Sequence, residues 1–147
     1  MTTLSQEYAA LSGSAEAAAL HARTIVEEHQ PDRAEAAAEV VRLLVADALA
    51  RTPPGDNVGL VTIVGGGVVR FEVRDPDLVV DGAEPPFALL STVSTLADRF
   101  GDGRVREGAG HMAYAEIFIH ADAPDSCGGL ESPLLVRAER QTADRDG

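Results

Sequence analysis

The side chains of this chain that could do metal chemistry gather near its C-terminal end. Histidine, aspartate and cysteine are the residue types that bind transition metals in proteins. The candidates are His111, His120, Asp122, Asp125 and Cys127. Their intervals are irregular, and Pro124 and the Gly128–Gly129 pair make the stretch flexible. The pattern therefore favours a strand end followed by a polar tail, and no metal site is expected.

Other arrangements that could carry catalysis are weak or missing. His21 and His29 fall roughly on one face of a predicted helix, and we interpret them as surface or partly buried side chains rather than a proton-transfer pair. Cys127 lies in an acidic, glycine-rich context that gives no reason for a lowered thiol pKa, so a nucleophilic role is not expected. The sequence contains neither a Gly-x-Ser-x-Gly nor a His-Glu-x-x-His pattern.

Composition limits the classes of partner. The 147 residues suffice for one domain, and because aromatic residues make up only 4%, the core must be built from Ala, Val, Leu and Ile. Twelve basic residues, all of them Arg, stand against 24 acidic ones, for a net charge of −12. This charge argues against direct binding of nucleic acid or of an anionic membrane, and it suits a basic protein partner. The sequence shows no signal-peptide pattern and no long apolar run, which predicts a cytoplasmic protein.

The first half of the chain predicts a strand and two helices. Residues 3–9 could form an edge strand, and Ser12–Ser14 supplies an N-cap for a helix over residues 15–29. Asp32 and Glu35 have capping-box spacing at the start of a second helix, which Thr52–Asp56 ends near Arg51. Its apolar positions recur at helical spacing: Ala37, Val40, Val41, Leu44, Val45, Ala48 and Leu49.

A β-hairpin follows. Val58–Val64 and Val68–Arg74 flank three glycines, which can adopt the positive φ angles of a tight turn. In the second strand, apolar side chains alternate with Arg70, Glu72 and Arg74, which predicts one buried and one solvent-exposed face.

The sequence after this hairpin predicts a helix over residues 87–100 that ends at Gly101, and then a second hairpin with strands over residues 104–107 and 112–119. Residues 121–147 read as a disordered acidic tail or an interaction segment. The element order predicts an α+β two-layer sandwich, with helices on one face of a mostly antiparallel sheet.

In order and spacing, Phe71–Asp77, Phe87–Gly101 and Gly110–Ile119 resemble the C-terminal half of the small histidine-kinase-like ATPases of the anti-sigma-factor type, which are common in actinobacteria. The resemblance covers about residues 5–119. It implies a Bergerat-type ATPase domain over residues 1–120, a regulatory ancestry and a homodimer.

The resemblance also identifies the positions that would hold ATP and Mg²⁺. The family's Glu and Asn for Mg²⁺ and water fall on Leu43 and Asp47, and a lone Asp47 carboxylate makes a poor Mg²⁺ site. The adenine-binding Asp falls on Asp75, which could equally well open the turn at Pro76.

The phosphate-binding positions have lost their chemistry. Those of the glycine-rich loop fall on Phe87 and Leu89 after Glu84–Pro86, and proline has no N–H to donate to a phosphate. The Lys-Thr pair of the last strand becomes His111-Met112. Four of the five positions compared are therefore lost, and no ATP or Mg²⁺ cofactor is expected.

Three functional hypotheses follow. The leading one is a non-catalytic regulatory protein, a pseudo-ATPase that binds a sigma-like factor or another transcription regulator through its helices or its acidic surface. The second is a small isomerase- or cyclase-like enzyme, or a small-molecule sensor, that reuses the vacated pocket. Two carboxylates, Asp47 and Asp75, could serve acid–base chemistry there. The third is a regulator that still binds nucleotide.

Overall fold

A computed structural model describes residues 1–53, 55–75, 87–105, 110–119, 135–136 and 139–141. Within these residues the strands are β1 (Thr2–Ala9), β2 (Asn57–Gly65), β3 (Val68–Asp75), β4 (Arg99–Val105), β5 (His111–Phe118), β6 (Leu135–Val136) and β7 (Glu139–Gln141). The helices are α1 (Ser14–Glu27), α2 (Ala34–Ala50) and α3 (Phe87–Leu96), and a 3₁₀ turn over Pro31–Arg33 precedes α2.

The strands form one antiparallel sheet in the order β1-β2-β3-β5-β4-β6, with β7 also paired to β4. Side chains from all three helices share one hydrophobic core with the inward face of β2, β3 and β5. The helices therefore cover one face of the sheet, and the predicted α+β sandwich is confirmed.

Helix α2 forms the centre of that core. Its apolar positions are buried as the periodicity predicted, from Ala37 through Ala48, and they pack against Phe71 and the other inward residues of β3. Helix α1 contributes Ala18, Ala22 and Val26. Small alanine side chains let two helices approach closely, so α1 lies directly against α2.

The hairpin between β2 and β3 is confirmed, with a two-residue turn. Gly65 pairs with Val68, which leaves Gly66 and Gly67 as the turn residues. Their φ angles are 63° and 79°. Two successive positive φ angles are typical of the turn that matches the twist of antiparallel strands, and glycine adopts them without strain.

Both predicted helix caps are wrong. The residue before α1 is Gly13, and the Ser14 hydroxyl donates to the Ala9 carbonyl instead of capping the helix. Ahead of α2, Asp32 lies inside the 3₁₀ turn, and the Glu35 carboxylate pairs with Arg23 of α1 at 2.7 Å. Interactions with neighbouring elements replace local capping at both positions.

Helix α3 is shorter than predicted. It ends at Leu96, and the chain enters β4 at Arg99, so that Phe100 and Gly101 are strand residues. The Asp98 N–H donates to the Glu116 carbonyl, and the Asp98 carboxylate accepts from the Phe118 N–H. Pairing with β5 therefore ends the helix before Gly101. This contact joins residues distant in the sequence, so the helical spacing of apolar residues could not predict it.

The predicted tail over residues 121–147 lies mostly outside the described residues. The two described pieces within it are the short strands β6 and β7, both paired with β4. No helix in the described part of the chain is long and apolar enough to cross a membrane.

Candidate functional site

Five charged side chains meet where the C-terminal end of α2 approaches the end of β3, the start of β5 and the middle of β4. We call them the charged cluster: Asp47, Arg51, Asp75, Asp102 and His111. Asp47 and Arg51 are one helical turn apart. Asp75 is the last residue of β3 and lies directly opposite His111, the first residue of β5. Asp102 is on β4 and lies opposite Ala113 of β5. Ala113 is two residues after His111, so Asp102 and His111 lie on the same face of the sheet.

Arg51 joins the two carboxylates that sequence comparison singled out. Its Nη2 donates to Asp47 Oδ2 at 2.8 Å, and its Nη1 lies 3.3 Å from Asp75 Oδ2. The side chains of Arg51 and Asp47 are less than one-fifth exposed, and that of Asp75 is 2% exposed.

His111 extends the charged cluster across the sheet. Its Nδ1 lies 3.4 Å from Asp75 Oδ2, and its Nε2 lies 3.7 Å from Asp102 Oδ2. Burial by itself would lower the pKa of the imidazole, but the carboxylates of Asp102 and Asp75 together outweigh burial and raise that pKa to about 9. His111 is therefore a cation at neutral pH. A protonated imidazole cannot accept a proton, so His111 is unsuited to act as a general base at that pH.

The structure thus brings together both predicted site residues, Asp47 and Asp75. Sequence reasoning missed Arg51, although its four-residue spacing from Asp47 is the usual signal of a helical ion pair. It also missed Asp102, for which only the strand pairing of β4 with β5 supplies the connection.

The described residues do not fit Mg²⁺–ATP. Leu43 is partly buried against the hydrophobic core, where it contributes packing. Asp47 accepts a hydrogen bond from Arg51, so its carboxylate is engaged by a cation of the chain itself. The Asp75 carboxylate lies between Arg51 and His111. The glycine-loop substitutions at Glu84–Pro86 lie outside the described residues, as does the side chain of Phe87.

The other histidine arrangements can be placed in part. His21 lies within α1 and is partly buried, and burial lowers the pKa of its imidazole. His29 follows the end of α1 and is exposed. His120, Asp122, Asp125 and Cys127 lie outside the described residues. No metal-binding group of three or more acidic, histidine or cysteine side chains occurs among the residues that the structure describes.

A second charged group lies on the sheet face opposite the helices. We call it the sheet-face network: Arg70, Glu72, Arg74 and Glu116, with the ring of Tyr114. Arg70 donates through Nε to Glu72 at 2.8 Å and through Nη1 to Glu116 at 2.9 Å. Its guanidinium also lies 3.8 Å from the centre of the Tyr114 ring, within the range of a cation–π contact.

The sheet-face network corrects the prediction of a solvent-exposed face on β3. Arg70 and Glu116 are fully buried, Glu72 is 1% exposed, and only Arg74 keeps a partly exposed side chain. Buried charges persist when they are paired, and here two carboxylates surround one guanidinium. The sequence signal was present as opposite charges on β3 and β5, but the pairing of Arg70 with Glu116 depends on strand register.

The charged cluster can hold α2 against the end of the sheet, and it places a cationic imidazole among carboxylates beneath the helical layer. No protein-family model matches the sequence, and a search of curated proteins finds no significant match.

Proposed function

We propose that this protein is a cytoplasmic, non-catalytic regulatory protein that acts by binding a protein partner. The partner class that the sequence resemblance implies is a sigma-like factor or another transcription regulator. The observation that carries the proposal is the position of Arg51, whose guanidinium contacts both Asp47 and Asp75. The two carboxylates that would serve Mg²⁺ and adenine in an ATPase are here paired within the chain.

The outer face of the helical layer offers a surface for such a partner. A groove of about 260 Å³ runs between α1 and α2. Its lining mixes acidic, basic and apolar side chains: Glu16, Ala19, Leu20, Arg23, Glu35, Ala38, Glu39 and Arg42. Leu20 is 63% exposed and places an apolar side chain in this groove. The net charge of −12 favours a basic partner surface around that contact.

Nucleotide titration tests the non-catalytic part of the proposal. We expect no heat of binding when ATP or ADP, with or without Mg²⁺, is titrated into the purified protein up to millimolar concentration. Binding tighter than about 100 µM, equivalent to roughly −5.5 kcal/mol, would contradict it and favour a nucleotide-gated regulator.

Two exposed leucines provide a matched test of the partner surface. Leu20→Glu places a carboxylate in the groove, whereas Leu11→Glu changes a leucine of similar exposure, 69%, that does not line it. In quantitative affinity capture from the source cells, a specific partner should be lost with Leu20→Glu and retained with Leu11→Glu. Equal loss in both variants, or in neither, would exclude the groove as the binding surface.

A second candidate function is a small-molecule sensor or a small isomerase- or cyclase-like enzyme. It is favoured by the buried His111, because strongly shifted pKa values concentrate at functional sites. Asp47→Asn and Asp75→Asn separate the two candidates. Both substitutions should abolish any ligand-induced thermal stabilisation found in a metabolite screen, whereas binding of a partner through the helical groove should survive them.

A further inference from the structure

A hollow opens on the sheet face opposite the helices, between Glu7 of β1 and Arg74 of β3. Both residues lie directly opposite Gly59 of β2, so the three positions form one row on that face. Gly59 has no side chain, and the space between the two charged residues therefore stays open. The hollow has a volume of about 350 Å³, and Ser5 and Asn57 also line it. Its size is within the range of small-ligand sites.

The backbone at Gly59 does not require a glycine. Gly59 is not among the described glycines with a positive φ, and β2 pairs there with both neighbouring strands without a bulge. A glycine inside a strand weakens that strand, and it often marks a bulge or a place where a ligand approaches the backbone closely. With a bulge excluded, the glycine favours a site that needs room for a ligand.

The two charged groups beside the hollow do not neutralise each other. Arg74 donates through Nη2 to Glu72 of its own strand at 2.6 Å, and its Nε has no hydrogen-bond partner among the described residues. The Glu7 carboxylate lies over Gly59, since a Cβ built there would be 3.1 Å from Glu7 Oε2. No ion pair joins Glu7 to Arg74 within the described part of the chain. One unpaired acceptor and one incompletely paired donor group thus border the same space.

We propose that this hollow binds a free α-amino acid, with the ligand ammonium at Glu7 and the ligand carboxylate at Arg74. Neighbouring strands lie about 4.8 Å apart, so the backbones of β1 and β3 are separated by roughly 10 Å. Because the Glu7 carboxylate lies over Gly59, the gap between the two charges is shorter, and one small molecule with both charges can contact both. The Ser5 hydroxyl and the Asn57 amide offer further hydrogen bonds in the same hollow.

Charge favours a zwitterion over an ion of either sign. A free anion is opposed by the net charge of −12 and by Glu7 itself. A free cation is attracted by that net charge but meets the Arg74 guanidinium across the hollow. A zwitterion has no net charge, and each of its groups forms a charge-assisted hydrogen bond. This inference does not depend on the proposed regulatory function, since neither the helical groove nor Asp47 contributes to the hollow.

The first test is titration of the isotope-labelled protein with each of the common L-α-amino acids, followed by NMR. At least one amino acid should shift the N–H signal of Val61, which lines the hollow, saturably with a Kd of about 1 mM or tighter. The N–H signal of Gly65, at the other end of β2, should not move. The N-acetyl and the amide derivatives of that amino acid each lack one charge, and each should bind at least about tenfold more weakly.

Two results of this titration would overturn the proposal. One is the absence of any saturable shift up to about 10 mM ligand, a concentration at which even millimolar binding is detected. The other is a blocked derivative that binds as tightly as the free amino acid, because the ligand would then not be recognised as a zwitterion.

Substitutions test the assigned position. Gly59→Val fills the hollow, its β-branched side chain suits a strand, and its Cβ meets only the flexible end of Glu7. It should therefore abolish binding without lowering Tm. Glu7→Gln should weaken binding at least about tenfold. Glu27→Gln is the matched control, because it removes the same charge from an exposed residue at the end of α1 and should leave binding unchanged. A Gly59→Val variant that binds like the wild type, or equal effects of Glu7→Gln and Glu27→Gln, would contradict the assigned site.

Discussion

Replacing Arg51 with methionine should destabilise the protein strongly, because it removes the cation that joins the carboxylates of Asp47 and Asp75. Methionine keeps most of the packing volume and removes the guanidinium. Removal of one partner from a buried ion pair costs about 3–5 kcal/mol. Arg51 and Asp47 retain some contact with water, at 18% and 16% side-chain exposure, so we expect about 3 kcal/mol. For a domain of this size that loss lowers Tm by roughly 10 °C.

The assay is urea unfolding followed by circular dichroism, with a matched arginine as control. Arg42 lies on the same helix, but its pair with Glu39 is more exposed, at 35% and 41%. Exposed pairs contribute little, so Arg42→Met should cost less than about 1 kcal/mol.

A double-mutant cycle assigns the loss to its cause. If the loss of the contact between Arg51 and the Asp75 carboxylate is what destabilises Arg51→Met, then Asp75→Asn in the same protein should recover at least about 1 kcal/mol. Equal losses for Arg51→Met and Arg42→Met, or additive effects in the double mutant, would refute the central role assigned to Arg51.

Three further predictions concern pH, the sheet-face network and the hairpin. The folded-state pKa of His111 is raised to about 9, so its stabilising contribution is complete below pH 6.5 and is lost as pH rises towards 9. Urea unfolding across that range should show the decline, and His111→Gln should remove it while His29→Gln does not. Arg70→Met should cost about 3–5 kcal/mol by calorimetry, because it removes the buried guanidinium that pairs with both Glu72 and Glu116, whereas Arg74→Met, at a partly exposed side chain, should cost clearly less. Gly67→Ala should cost about 1–2 kcal/mol in chemical unfolding because of its positive φ, and unchanged stability would contradict the assigned turn.

Much of the fold could be predicted from local patterns. The inward faces of α2 and β3 and the glycines between β2 and β3 each follow from the spacing of a few neighbouring residues. Such patterns are local because helix and strand periodicity depend on backbone geometry alone. The failures occur where distant segments compete with a local preference. At Phe100 and Gly101, pairing with β5 replaced the predicted end of a helix.

For the candidate site, the sequence by itself determined which groups are available: the carboxylates of Asp47 and Asp75, and the absence of phosphate-binding residue types at the positions compared. The tertiary structure decided what those groups contact. Arg51 reaches Asp75 only because α2 packs across the end of β3, and His111 lies opposite Asp75 only through the register of β3 with β5. Arg70 and Glu72 likewise looked solvent-exposed along their own strand. Ion pairing across strands stabilises their burial, and that energy depends on distances that no sequence interval specifies.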